Sequence, residues 1–414
     1  MEAVSHTSKD HHPVAEVATA RTLTPEIMTR ADEIEAGRRL PADLAQKLAA
    51  AGLFRITLPR TYGGLELHPT DIVRVIEETS RADGSVGWCV MIGAVTATLA
   101  ALLPERWARE IYGTNPLVIT GGAVSPRGKA VPIPGGYRVT GRWQWGSGTQ
   151  NCQWICGGSL VMEGDKPRLL ESGDPELHLM IFEASQVEIL DTWNPSGLRG
   201  TGSHDFQVCD AFVPEGRETI LGVTPPHLGT PLYRFPFFGL MAVSVCAVAL
   251  GIARRAIDEF GTLATKKVPA WTQRPLAQRP TIQAQVAEAE AALRSARAFI
   301  FDAIDAAWDV AAVGKKLSPD LRRDLRLAAA NAVRQSVKAT DLMYEAGGGS
   351  AIHAKSPLQR CFRDVHVVTQ HVLVNASMYE QTGKLYLGAG PASPPIVKSE
   401  ASDALGKEHL LWQS

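Results

Sequence analysis

Little in this chain ties it to a polyanion, a metal or an oxidising compartment. Basic and acidic side chains nearly cancel, 42 against 43, leaving a formal net charge of −1. That balance gives no overall field to attract nucleic acid or an anionic membrane surface. No run of apolar residues reaches the ~18 that would suggest a membrane span. The opening stretch "MEAVSHTSKDHHPVAEVATA" lacks a basic-then-apolar signal pattern and reads as a frayed polar lead-in. Cysteines number only six in 414 residues. Cys152 and Cys156 are the one close pair, and no Cys/His pair follows at zinc-ligand spacing, so no metal site is expected. Reduced thiols and a cytoplasmic location are the expectation.

What is present is enough apolar content, 45%, for a large core and two or three domains. Residues 22–116 read as helical: "TPEIMTRADEIEAGRRLPADLAQKLAAAGLF" is rich in Ala, Leu and Glu, with Thr24 and Pro25 as cap and first turn. From 117 to 225 short runs of Val, Ile and aromatics, bounded by Gly, Pro and Asp, predict a small antiparallel, barrel-like β domain. Helical texture returns over 226–388, and residues 389–414 form a Pro/Ser-rich tail without a core pattern. The fold class expected is α+β: helices, then a sheet, then a helical bundle.

Three of the nine Trp crowd into "WQWGSGTQNCQW", residues 143–154. By period two, Trp143, Trp145 and Ser147 share one strand face. Gly146 and Gly148 would let a backbone approach a ligand closely. A flat aromatic ligand could meet an indole and be fixed by the hydroxyl, although a core filled by Trp satisfies the same pattern. Further on, "PLQRCFRDVHVVTQHVLVNASMYEQTGKLYL" reads as one long helix. At 100° per residue, Leu358, Cys361, Phe362, Val365, Thr369, Val372 and Ala376 form a core stripe. Arg360, Asp364, Val367, His371, Val374 and Asn375 form a mixed stripe suited to a cleft or a subunit contact. His366 lies about 140° away from His371 on that helix. "YEAGGGSAIHAKSPLQR" places Gly348 and Gly349 between helices, where their amides could hold a phosphate or could simply turn the chain. "GLRGTGSHD" is not a phosphate loop, since it lacks the P-loop Lys. His11 and His12 belong to the polar lead-in.

Taken together, "LPRTYGGLELHP", "GGYRVTGRWQWGSG", "GLRGTGSHDFQVCDAFVP" and "PLQRCFRDVHVVTQH" resemble the acyl-CoA dehydrogenase fold over residues ~22–388. The match is nearest to its two-component flavin monooxygenases, such as the oxygenase component of p-hydroxyphenylacetate hydroxylase. The resemblance implies that Trp145 packs beside the flavin and that Gly146 lets it approach; Gly348 and Gly349 are cofactor-binding candidates through their amides. It implies that Ser147 bonds flavin N5, and that Trp88 and His371 meet the substrate. Common acyl-CoA dehydrogenases carry a Glu base one residue past the place of His371, where this chain has Val372; a Cα proton therefore has no carboxylate to take it. The expected activity is hydroxylation of an aromatic, phenolic substrate through a flavin C4a-hydroperoxide, using reduced flavin (FMNH2 or FADH2) and O2. His371 would take the phenolic proton or hydrogen-bond the peroxide. N- or S-oxygenation, or a dehydrogenase-like flavoprotein without oxygenase activity, are the alternatives. No nicotinamide-binding Rossmann unit is recognisable, so electrons would come from a separate NAD(P)H:flavin reductase. The resemblance also implies a homotetramer.

Overall fold

The computed structural model describes residues 15–270 and 272–389; His11, His12 and all but one residue of the expected tail lie outside the described residues. The chain opens with helices α1 (Ala15–Thr29), α2 (Ala31–Gly37), α3 (Ala42–Ala50), α4 (Pro69–Ala82), α5 (Gly84–Ala97) and the short α6 (Glu105–Ala108). Eight strands follow: β1 (Thr120–Ile133), β2 (Gly136–Gly146), β3 (Trp154–Glu163), β4 (Lys166–Pro167), β5 (Leu177–Glu183), β6 (Glu188–Leu190), β7 (His204–Pro214) and β8 (Glu218–Thr219). The helical return comprises α7 (Pro231–Arg234), α8 (Phe237–Lys266), α9 (Pro280–Ala312), α10 (Pro319–Gly347), α11 (Pro357–Val368) and α12 (Ser377–Tyr386). This is the α+β order that the sequence predicts.

Three details differ from the sequence reading. Helix α1 begins at Ala15, inside the stretch read as a polar lead-in, and Pro25 lies within it rather than at its first turn. The sheet, in order β6-β7-β2-β1-β3-β5-β8 with β4 on β3, is antiparallel except for one pair. Strands β1 and β3 run parallel. After β2 returns along one edge of β1, residues 147–153 cross its starting end, where Gln153 and Ile119 exchange hydrogen bonds. The chain therefore enters the far edge of β1 in the same direction as β1 itself. Finally, two helical segments, Gly84–Ala101 and Phe237–Lys266, are long and apolar enough to cross a membrane by length and composition, but 89% and 83% of their apolar windows are buried inside the fold.

That burial explains their composition. Helix α8 is apolar nearly all round, from Phe238 to Ala253, because α4, α5, α10 and α11 pack against it from several sides. A helix hydrophobic on every face belongs in a core. Helix α5 is equally apolar and starts from a firm cap: the Asp83 carboxylate accepts the Ser85 and Val86 amides. It bridges α8 and the start of β1, and so carries Trp88 to the end of the sheet.

Candidate active site

Strand β2 closes on the crowded tryptophans, and the structure separates them. Trp143 faces Phe206 of β7 in register, but the next matched pair is Gly146 with His204. Three steps on one strand answer two on the other, which is a bulge of one residue. It breaks the period-two alternation. Trp143 is therefore wholly buried, stacked on Phe206 at 5.1 Å and tilted against Phe182 at 5.7 Å, its indole N–H donating to Gly158 O. Trp145 instead takes φ +64° and is 63% exposed. It is the one exposed tryptophan among the described residues. A non-glycine residue held at positive φ with a bare ring is the kind of strain that marks ligand sites.

The glycines around Ser147 also have distinct duties. A Cβ on Gly146 would lie 2.6 Å from the Phe206 ring, so this glycine serves core packing; the ligand approach read from sequence is not its visible role. Gly148, at φ +70°, makes the left-handed turn and donates its N–H to Thr201 O. Between them Ser147 is 5% exposed, and its Oγ receives the indole N–H of Trp88 at 3.0 Å. The same oxygen lies 2.7 Å from Ser203 Oγ, which lies 2.7 Å from Thr201 Oγ1. The Trp88 ring meets His371 edge-on, with centroids 5.8 Å apart. Residues from α5, the β2 turn and the segment after α11 thus converge, although Trp88 and Ser147 stand 59 positions apart in sequence.

His371 reaches this point by a different route from the predicted one. Helix α11 stops at Val368, and residues 369–376 are turns before α12. The single long helix and its two stripes do not continue past Thr369. Val372, placed on the core stripe, is exposed, whereas Val374, placed on the mixed stripe, is buried. Burial lowers the His371 pKa from its ordinary range to about 4, so the ring is neutral at pH 7. Its Nδ1 accepts the Leu373 amide at 3.3 Å. A neutral imidazole accepting at one nitrogen carries its proton on the other, so Nε2 offers an N–H. His366 turns elsewhere, to Asp341 of α10 at 3.0 Å and the Phe362 ring.

The upstream half of the mixed stripe holds a loop in place. Arg360 and Arg363 pair with Glu35 of α2, each at 2.7 Å. Buried Asp364 accepts the amide of Leu198 at 2.6 Å, and Arg363 donates to Ser196 O at 2.6 Å. Leu198, at φ +48°, is left-handed. Asp83 and Asp364 line a cleft of about 170 Å³ that Arg255 and Arg360 also line. Burial raises the Asp364 pKa to about 7, helped by the neighbouring Asp83 charge, and burial raises Asp83 likewise. Gly348 and Gly349 sit apart from all this, in the turn after α10, where Lys267 donates to Gly347 O. Ser203, Thr201 and Leu198 were not singled out as site residues from sequence; the dense glycines of "GLRGTGSH" were the available signal.

Comparison with known proteins gives the family of this fold. Models of the acyl-CoA dehydrogenase N-terminal and C-terminal domains match residues 9–105 and 243–376. An indole-3-acetate monooxygenase of Pseudomonas putida is 35% identical over 362 residues, covering 87% of this chain and 91% of that protein. The oxygenase component of an FADH(2)-dependent resorcinol hydroxylase from Rhizobium is 28% identical, covering 87% of this chain and 91% of that protein. The solved structure of XiaF from Streptomyces in complex with FADH2 and glycerol superposes with a TM-score of 0.84 at 26% identity, covering 93% and 97% of the two chains. The chain belongs to the flavin-dependent monooxygenases of the acyl-CoA dehydrogenase family.

Proposed function

We propose that this chain is the oxygenase component of a two-component system. It takes reduced FMN or FAD from a separate NAD(P)H:flavin reductase, and sets one atom of O2 on a small aromatic substrate, a phenol or an indole. One observation carries the reading: Trp88, Ser147 and His371 come together from three elements, and the exposed Trp145 stands two residues before Ser147 on the same strand end. These residues fit a flavin. Trp145 offers a free aromatic face, on which ring stacking contributes roughly 0.5–1.5 kcal/mol beyond burial. Ser147, two residues further on, offers one hydroxyl oxygen. Bound reduced flavin supplies the electrons that activate O2.

The chain's own residues do the rest. Trp88 and the buried hydroxyls hold Ser147 in one orientation. His371 presents Nε2–H, which favours donation to an oxygen over removal of a phenolic proton. Relatives named as an oxygenase subunit and an oxygenase component support an external reductase. The names of the relatives support the substrate class, one an indole-3-acetate monooxygenase and one a resorcinol hydroxylase. The same reading carries a homotetramer in a reducing cytoplasm; all six cysteines are free, and only Cys209 is exposed. The test is anaerobic titration with reduced FMN and FAD, then mixing with ¹⁸O2 and a panel of phenols and indoles. One ¹⁸O per product, formed only with reduced flavin, is expected. Reduction of bound flavin by an acyl-CoA, without labelled product, would overturn it.

A further inference from the structure

Each hydroxyl carries one proton, and that count fixes the direction of the bonds at Ser147. The series ends on an oxygen that can only accept. Thr201 Oγ1 lies 2.8 Å from the carbonyl oxygen of Leu198, so the Thr201 proton points there. The Thr201–Ser203 contact, at 2.7 Å, then takes its proton from Ser203. The Ser203–Ser147 contact, also 2.7 Å, takes its proton from Ser147. At the other end the Trp88 indole, a donor only, gives its N–H to Ser147. Ser147 has then used its proton and one of two lone pairs. A lone pair is all it has left for a ligand.

Reversing that direction is resisted. For Ser147 to donate outward, Ser203 must donate to Ser147, Thr201 must donate to Ser203, and the Leu198 carbonyl must lose the Thr201 proton. That carbonyl is held on a left-handed residue whose amide is bound by Asp364. Trp193 Nε1 and Thr201 N also donate to that carbonyl, at 3.3 and 3.2 Å, but the hydroxyl bond at 2.8 Å is the shortest of the three. Ser147, Thr201, Ser203 and Leu198 are all at least 95% buried, so water does not readily replace it.

Resting on the placement of the flavin edge at Ser147, we propose that the Thr201–Ser203–Ser147 series makes this chain selective for the oxidation state of its flavin. N5 of a reduced flavin carries a hydrogen and donates; N5 of an oxidised flavin has only a lone pair. Ser147 as an acceptor pairs with the first and opposes the second. An oxygenase that draws reduced flavin from a pool also holding the oxidised form gains from such discrimination, and the spent oxidised form is released by the same contact.

The experiment is an anaerobic equilibrium titration of the protein with FMN and FAD, each in both oxidation states. The readout is the ratio of the oxidised-flavin Kd to the reduced-flavin Kd. Ser203→Ala removes the acceptor of the Ser147 proton, and Thr201→Val frees the Ser203 proton to turn toward Ser147. In both, oxidised flavin should bind more tightly and the ratio should fall roughly tenfold, the equivalent of about one hydrogen bond. Thr201→Ser keeps the hydroxyl and should keep the wild-type ratio. An unchanged ratio in folded Ser203→Ala and Thr201→Val, with reduced flavin still bound at Ser147, overturns the proposal alone. If neither Trp145→Ala nor Ser147→Ala alters the affinity for reduced flavin, the placement of the flavin fails, and the selectivity device fails with it.

Discussion

Replacing Asp364 by Asn separates two things this carboxyl does. The amide oxygen of Asn can still accept the Leu198 N–H, now 2.6 Å from Asp364 Oδ1, but it cannot ionise. The Asp364 pKa stands at about 7 in the fold, raised by burial and by Asp83, against about 3.9 for an unfolded Asp. Below the unfolded value both states are protonated, and this group adds no pH dependence. Between the two values the unfolded chain releases its proton and the folded chain keeps it. The folded state then binds more protons, so its stability falls as pH rises, and levels off only above the folded pKa. At about 1.4 kcal/mol per pH unit, wild type should lose up to ~3 kcal/mol relative to Asp364→Asn between pH 5 and pH 7. His371 contributes in the opposite sense, because its folded pKa is lowered. The quantity to follow is therefore the difference between variant and wild type, which cancels it. Thermal or denaturant midpoints at fixed protein concentration, every half unit from pH 5 to 8, give that difference. A difference that stays flat, or shrinks as pH rises, would refute the account of a neutral carboxyl buried beside Asp83.

The paired tryptophans should behave as opposites. Trp143→Ala should cost about 3–5 kcal/mol of stability, as a fully buried ring does, whereas Trp145→Ala should leave the thermal midpoint nearly unchanged and weaken reduced-flavin binding; calorimetry and anaerobic titration tell them apart. Gly146→Ala forces a methyl against Phe206 at 2.6 Å and should destabilise by about 1–3 kcal/mol, measurable by urea unfolding. His371→Ala should slow product formation by roughly 10²–10⁴-fold with more H2O2 released, while His366→Ala should be mild. Because the His371 pKa is held near 4, the coupling of O2 use to product should stay level from pH 5.5 to 7.5. A step near pH 6.5 that disappears in His371→Ala would refute the neutral ring.

The order of helices, sheet and helices was legible because hydrophobic period and β-branched content are local signals, and each spans many residues. The meeting of Trp88, Ser147 and His371 was not. No spacing rule joins positions 88, 147 and 371, and only the family resemblance suggested it. Two local readings failed for identifiable reasons. At Trp145 one extra residue shifted the strand by half a period, and Gly146 was its only trace in the sequence. After α11 the run Val365–Thr369 is rich in β-branched residues, which hold helices weakly, and Asn375 caps the next turn by accepting from Ser377. Read as a stop, that run would have taken His371 off the helix and removed the two-stripe argument.

The loop at residues 196–203 shows why the decisive half of the site was hardest to read. Its glycines fit no phosphate-binding loop, since the P-loop Lys is missing, and the room they make has no other signature in the sequence. Here the room is for protein. A Cβ on Gly197 would lie 2.4 Å from the Arg363 carbonyl, and one on Gly200 would lie 2.2 Å from Ile34. Gly202 is left-handed at φ +54° and sits against Gln150 and the Arg38 carbonyl. Each glycine lets the loop close onto a different part of the core, and the closures together hold the loop that carries the Leu198 carbonyl. The direction of the hydroxyl series follows from that carbonyl. With the flavin placed as proposed, Ser147 acts as an acceptor because of backbone packing some fifty residues away in sequence, and a substitution at Gly197 or Gly200 should disturb flavin selectivity without touching the flavin.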